Sequence, residues 1–360
     1  MFPERAARVS ADDRAGAGWD VQVAGHLCID LVPYLLDAAD VTPGGLFEVG
    51  PLDLRLGGCV ANTGSDLAAL GLNTLLVTSL GDDALAATAT ALIDAIPGAD
   101  ARAEVVPGAT TSYSVVVQPP DTDRAFWHHV GANASFDGRQ VDVAAAPLLH
   151  VGYLPLLPRL TARAGAGLVR LFREARSAAV TTSIDMCVVP PGRSTVDWAD
   201  LLTRVLSLCD VISPSLDDMR SVLAHPGLGA SEAAEWLLER GAAVVAVTDG
   251  PQGLVVRTAA ASRFAGAEGR RSALLAALPA SWHDRQVGLP AIPVPVVETT
   301  GAGDAATAAL LVAVRSGMSL DQGLKLVRSA AAHRVAGLGS LAELHGQHRT
   351  KTLHAASDER

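Results

Sequence analysis

Short apolar runs alternate with alanine-rich stretches along most of this chain. VQVAG, NTLLVTSL, PLLHVGYL, AAVTTSID, CDVISPS and AAVVAVTDG are each followed by a segment long enough for a helix. That alternation predicts βαβ units and a mostly parallel sheet. The runs are apolar at successive positions, so both faces of the sheet are expected to lie under helices, as in an α/β three-layer sandwich. Ligands of such sheets bind in the crevice outside the carboxyl ends of the strands.

Two segments break the alternation. Residues 31–56 and 110–130 read as strands joined by Pro, Gly and Asp turns, with period-2 character around Tyr113, Val115 and Val117. They are expected to form one small β-sheet, a lid that closes over the crevice and excludes water. Edge strands of the main sheet are the other reading. Residues 1–19 predict a flexible start, 258–290 a weakly patterned insertion and 344–360 a polar tail, which leaves 20–343 as the folded domain. Lid strands with exposed apolar faces pair readily between subunits, so a homodimer through the lid is expected.

Composition narrows the function by exclusion. A net charge of −10 leaves no broad basic surface for nucleic acid or an anionic membrane, so a small-molecule partner is expected. Lysine occurs only at 325 and 351, so no G-x-x-x-x-G-K-[ST] phosphate loop can be written. Cys28, Cys59, Cys187 and Cys209 are widely spaced, without zinc-type pairing, and read as reduced core thiols of a cytoplasmic protein. No apolar run is long enough to span a bilayer, and the first residues lack the apolar region of a secretory signal.

The candidate chemistry centres on VETTGAGDAAT, residues 297–307. AIPVPVV reads as a strand and DAATAALLVAVRSG as a helix, so Gly301, Ala302 and Gly303 form the turn that opens the helix. Outward-pointing N–H groups and the helix dipole make that turn an anion site, and glycine lets a phosphate approach without meeting a Cβ. Asp304, in the first helical turn beside that anion, is useful if it handles a proton. Three readings stay open on these residues: a plain helix cap by Thr300 or Asp304, a G-x-G-x-x-A dinucleotide turn with Asp321 as its distant acid, and phosphoryl transfer with Asp304 as base. VAGHLCID, residues 23–30, reads as the end of a first strand that delivers Asp30 to the crevice, where a carboxylate can accept from two hydroxyls. LGGCVAN, residues 56–62, gives a turn at Gly57 and Gly58 and a helix carrying Asn62. Adjacent His128 and His129 fall on opposite faces of a strand, which speaks against a metal pair. His150 and His333 read as interior or rim histidines.

GHLCID, GGCVAN, GDD (residues 81–83), TDGPQG (residues 248–253) and TTGAGD stand in an order and spacing that resembles the ribokinase-like, or PfkB, carbohydrate kinases, over roughly residues 20–342. The resemblance implies an α/β sandwich with a β-lid, use of ATP and Mg²⁺, and transfer of a phosphoryl group to a hydroxyl of a sugar-like acceptor, with a nucleoside kinase or a weakly active binding protein as alternatives. It implies Asp304 as general base and Gly301, Ala302 and Gly303 as the anion hole. Asp30, Gly57, Gly58 and Asn62 would hold the acceptor, joined by Arg124 and Asn133 of the lid region. Thr248, Gly250 and Gly253 would line the nucleotide site. The family's N-x-x-E element falls on Ser215 and Asp218, which puts Ser215 at the nucleotide and Asp218 at Mg²⁺, through water or directly. Family members often hold a monovalent cation, K⁺, near the last motif; Glu298 replaces the usual Asp there, beside Thr300.

Overall fold

The computed structural model describes residues 18–35, 43–119, 124–189, 195–266 and 272–344. The expected flexible start and polar tail, apart from Gly18, Trp19 and Leu344, lie outside the described residues, as do 36–42 and 120–123 of the lid segments.

In chain order the strands are β1 (Val21–Gly25), β2 (Cys28–Pro33), β3 (Leu52–Gly57), β4 (Thr74–Leu80), β5 (Ala99–Val105), β6 (Tyr113–Val117) and β7 (Ala125–His129). They continue with β8 (Leu148–Gly152), β9 (Thr181–Ile184), β10 (Val211–Ile212), β11 (Val244–Thr248), β12 (Leu254–Thr258) and β13 (Gln286–Leu289). The helices are α1 (Cys59–Ala69), α2 (Ala84–Asp94), α3 (Pro158–Ser177), α4 (Trp198–Leu206) and α5 (Leu216–Val222). After them come α6 (Ala230–Glu239), α7 (Ala261–Ala265), α8 (Ala273–Ala277), α9 (Ala302–Arg315) and α10 (Leu320–Val335).

Nine strands form the main sheet in the order β13-β12-β11-β10-β9-β8-β1-β4-β5. It is parallel from β11 to β5, with β12 and β13 closing one edge antiparallel. Successive residues of these strands serve two separate cores. Leu76, Val244 and Ala246 pack with α1, α9 and α10, whereas Leu75, Val77, Val245 and Val247 pack with α3, α4 and α6. Apolar runs without period-2 alternation are what a sheet buried on both faces needs. Each fully buried Leu or Val contributes roughly 1.5–3 kcal/mol of transfer free energy.

The lid is a separate four-stranded sheet, β3-β2-β6-β7, so the two segments that broke the alternation do pair with each other. Pairing of β2 with β3, and of β6 with β7, is antiparallel, and β2 with β6 is parallel. The chain leaves β1 towards β4 and β5 on one side and returns to β8 on the other, which places the topological switch point between β1 and β8.

Three local readings are corrected. The AIPVPVV segment, residues 291–297, forms no strand. Pro290, Pro293 and Pro295 have no N–H to give a ladder, and the segment is tied instead by Val297 and Glu298 N–H to the Val335 carbonyl at the end of α10 (2.9 and 3.2 Å). Asp30 is not at the end of the first strand. β1 stops at Gly25, whose φ of 124° turns the chain, and Asp30 lies in lid strand β2. Residues 258–290 hold α7, α8 and the edge strand β13, which too few apolar positions announced.

Candidate active site

The N-terminus of α9 is built by a glycine in the left-handed region. Gly301 is the N-cap with φ 74°, and no side chain caps this helix end. The first-turn N–H groups of Gly303 and Asp304 have no partner one turn back. A Cβ built at Gly303 would meet nothing within 4 Å, so the backbone there is open to a ligand. Asp304 follows at once and is buried.

Its carboxylate is held from three sides. Thr63 Oγ1 donates to Oδ1 at 2.7 Å and Asn62 Nδ2 to Oδ2 at 3.3 Å. The Tyr153 hydroxyl lies 2.9 and 2.8 Å from the two oxygens. Asn62 and Thr63 lie where the first turn of α1 passes into the second; the N-cap of that helix is Gly58 (φ 88°), where a Cβ would run into His26. Tyr153 follows the carboxyl end of β8. Burial raises the Asp304 pKa, and the donors Thr63, Tyr153 and Asn62, with the Arg334 charge, pull the other way.

Arg334 of α10 stands behind the turn. Its Nε lies 3.7 Å from where a Gly301 Cβ would be, and Nη2 donates to Asp66 of α1. Burial lifts the Asp66 carboxyl to about 7, even beside Arg334. Burial raises the pKa of Asp185 and of Asp218; the Asp304 charge adds to both, the Asp218 charge adds to Asp185 and the Asp217 charge to Asp218. Ser215 and Asp218 form a capping box at the start of α5: Ser215 N–H donates to Asp218 Oδ2 (2.8 Å) and Asp218 N–H to Ser215 Oγ (3.1 Å). Ser215 bridges to Thr248 at the end of β11, so the two expected nucleotide contacts do meet. Gly250 and Gly253 have φ of 47° and 99°, and a Cβ at Gly253 would collide with the backbone at Leu289 and Pro290, which gives Gly253 a packing role in the turn before β12.

On the lid side, Asp30 lies against Gly57, whose Cβ would overlap its carboxylate. Burial raises the Asp30 pKa, opposed by hydrogen bonds from Cys28 and Ser114 and by the charges of Arg55 and Arg124. Arg124 Nη1 donates to Thr299 Oγ1 at 2.7 Å, and Arg55 pairs with Glu298 at 3.7 Å. The lid is thus joined to the loop that carries the anion turn. The Asn133 amide is committed to the backbone of Leu27, donating to its carbonyl at 2.8 Å and accepting from its N–H at 3.5 Å. Its place is the hinge of the lid. A cavity of about 590 Å³ opens elsewhere, at the β5 edge; its Asp137 is paired with Arg139 and Arg159, and it is remote from Asp304.

The structure therefore gathers Asp304, Gly301–Gly303, Asn62, Asp30, Gly57 and Gly58 around one crevice at the switch point. The sequence reading passed over Thr63, Tyr153, Asp185, Asp66 and Arg334. Asp185 and Tyr153 stand just after the carboxyl ends of β9 and β8, a position that in such sheets points to a ligand. Asp66 and Arg334 carry no comparable signal, because only the packing of both α1 and α10 against α9 brings them together.

A family model described as pfkB family carbohydrate kinase matches residues 20–344. Among curated proteins no sequence match is found. Solved structures of the same fold include ribokinase of Arabidopsis thaliana complexed with ribose and ATP, at 20% identity and a TM-score of 0.66, covering 90% of this chain and 95% of that one. Adenosine kinase of Sinorhizobium meliloti aligns at 22% identity and a TM-score of 0.68, over 92% of this chain and 99% of its own. An E. coli ribokinase-II-type protein complexed with ATP and Mg²⁺ aligns at 20% identity and a TM-score of 0.63, over 88% and 93% of the two chains.

Proposed function

The chain belongs to the pfkB family of carbohydrate kinases, and on that premise we propose that it transfers the γ-phosphoryl group of ATP to a hydroxyl of a sugar or sugar-like acceptor, with Asp304 as general base. The observation that carries this reading is the buried Asp304 carboxylate, fixed by Asn62, Thr63 and Tyr153 beside the open Gly303 backbone. In a loose transition state the acceptor proton moves late, so a carboxylate serves well if it is positioned. The acceptor hydroxyl takes a place at Asp304, which accepts its proton as the new O–P bond forms. The first-turn N–H groups of α9 stabilise the charge on the moving phosphoryl oxygens.

Besides burial, the Asp304 charge raises the pKa of both Asp185 and Asp218, and Asp218 that of Asp185, and such a hard oxygen donor set fits Mg²⁺. Asp218 and Asp185 would hold the ion, directly or through water, and the ion when bound neutralises phosphate charge. Ser215, Thr248 and Gly250 line the proposed nucleotide side. Asp30, Asn62 and the Gly57–Gly58 turn face the acceptor, and Arg124 ties the lid down over it. Glu298 is engaged by Arg55 and Arg334 already sets a cation beside Gly301, so K⁺ has no part in this reading. Of the cross-strand row Leu54–Leu31–Val115–Trp127, the two ends, Leu54 and Trp127, are exposed apolar side chains, which supports a homodimer through the lid.

The test is ADP release across pentoses, ketohexoses, sugar acids and nucleosides. Turnover with at least one sugar or polyol is expected. Measurable ATP binding without ADP release from any member would favour a binding protein, and turnover with nucleosides alone would move the acceptor class.

A further inference from the structure

Beneath the lid, three buried imidazole nitrogens have no hydrogen-bond partner: Nδ1 and Nε2 of His26, and Nε2 of His128. Leaving such atoms unpaired costs about 1–3 kcal/mol each, so each asks for a ligand. His26 follows β1, and His128 comes from β7. Cross-strand pairing of Asp30 with Ser114, and of Ser114 with His128, puts these residues on one row of the lid face turned to the crevice, and Cys28, two positions before Asp30, shares that face. Ser114 Oγ meets His128 Nδ1 at 3.0 Å, which turns Nε2 inward. Cys28 Sγ lies 3.7 Å from Ser114 Oγ and 3.4 Å from Asp30 Oδ1. The His26 and His128 rings meet edge to face at 5.0 Å. One donor atom from each of His26, Cys28 and His128 falls within 4.8 Å of the other two.

We propose that His26, Cys28 and His128, with Asp30 beside them, form a site for a borderline-soft divalent metal ion, Zn²⁺ by its donor set, at the acceptor end of the crevice. Two imidazoles, a thiolate and a carboxylate make a tetrahedral N₂SO set that suits Zn²⁺ and suits Mg²⁺ poorly. Bonds of about 2.0–2.3 Å place donor atoms roughly 3.3–3.6 Å apart, so the side chains draw in by about an ångström. The Cys28 proton leaves to solvent as the Zn–S bond forms. Ser114, through the other nitrogen of His128, orients that ring as a supporting partner does in metal sites. The ion joins the main sheet, through His26, to the lid, through Cys28 and His128. Its consequence for turnover rests on the proposed acceptor site: Zn²⁺ beside Asp30 and Gly57 excludes the acceptor and inhibits competitively against it, but not against ATP.

The first readouts need no turnover, so they stand or fall apart from the kinase reading. Zn²⁺ added to the full chain is expected to raise Tm, and EDTA to reverse it. Co²⁺ is expected to give a near-ultraviolet thiolate charge-transfer band with visible bands of a tetrahedral site. His128→Ala and Cys28→Ser should each weaken the ion by about tenfold or more. His128→Ala is the variant to rely on if Cys28→Ser folds poorly. No Tm shift and no thiolate band in the unaltered protein would overturn the site. So would a band that survives Cys28→Ser and is lost in Cys59→Ser, since Cys59, His150 and Asp185 form the other such cluster among the described residues. Acceptor that protects the imidazoles while leaving Zn²⁺ affinity unchanged would overturn the competition.

Discussion

The two ends of the crevice differ in how their polar atoms are satisfied. At the α9 end, both oxygens of Asp304 are taken by Thr63, Asn62 and Tyr153; only behind them, in the Arg334–Asp66 pair, do Arg334 Nε and Asp66 Oδ2 lack a partner. At the lid end, His26 and His128 leave buried nitrogens without partners, and Asp30 is lifted by burial. The first end is organised before any ligand arrives, which is what electrostatic stabilisation of a transition state demands. The second is organised for something that arrives later. Chemistry common to a family can be built into a fixed end, while selectivity is left to the end whose atoms wait for a partner.

The largest effect should come from removing the base. Asp304→Asn keeps the shape and the donors of Asn62 and Thr63 can re-pair with the amide, yet kcat should fall by about 10²–10⁴, the usual worth of general base catalysis. ATP binding by calorimetry should be little changed. Near-unaltered turnover would mean that the satisfied end is only structural. Next, Arg334→Met leaves the buried Asp66 carboxylate without its cation. Breaking a buried pair costs about 3–5 kcal/mol in general, but Asp66, already lifted to about 7, escapes at neutral pH by taking up a proton. With Arg334 29% exposed, a loss approaching the lower bound, about 3 kcal/mol, is therefore expected from urea unfolding only about two pH units higher, where the carboxylate is charged. A loss under about 1 kcal/mol would show that the pair behaves as a surface contact.

Legibility in the sequence followed the same division. Strands β1, β4, β8, β9, β10 and β11 of the main sheet, the lid and the Gly301–Asp304 turn were readable, because apolar runs, turn residues and a glycine-rich helix start are local signals, whereas β5, β12 and β13 were not. The AIPVPVV segment misled because its valines suit a strand while its prolines deny it the ladder, and the prolines prevail. Asp30 falls on lid strand β2 and not at the end of β1, since a single glycine, Gly25, decides where β1 ends. Asp66 and Arg334 were not readable at all, and Tyr153 only by its place after the carboxyl end of β8. Their partners lie 151 residues away for Tyr153 and 268 residues away for Arg334, and nothing local marks such a pairing.

A smaller effect separates positioning from chemistry at the fixed end. Tyr153→Phe removes one donor from a carboxylate that burial already pushes up. Fewer hydrogen bonds to the charged form mean a still higher pKa, so the acid limb of kcat against pH moves to higher pH. On that limb kcat should drop by about tenfold, the worth of a hydrogen bond to a charged group, and above it the rate should recover. A rate lowered equally at every pH would make Tyr153 a packing residue instead.

The smallest effect is expected where the two ends are joined. Arg55 reaches from the lid to Glu298 at 3.7 Å, with side chains 53% and 43% exposed. An ion pair that open to solvent is worth roughly 0.2–1 kcal/mol and is screened by salt. Glu298→Gln should therefore raise the KM for the acceptor by about twofold, lose even that at high ionic strength, and leave kcat alone, because the lid closes less firmly over an unaltered anion turn. The alternative role of Glu298, in a K⁺ site at the turn itself, makes the opposite forecast: a fall in kcat and a change in the response to K⁺ against Na⁺. Since Arg334 already places a guanidinium beside Gly301, a second cation there would meet like charge, and the KM effect without a kcat effect is the outcome that keeps the two ends distinct.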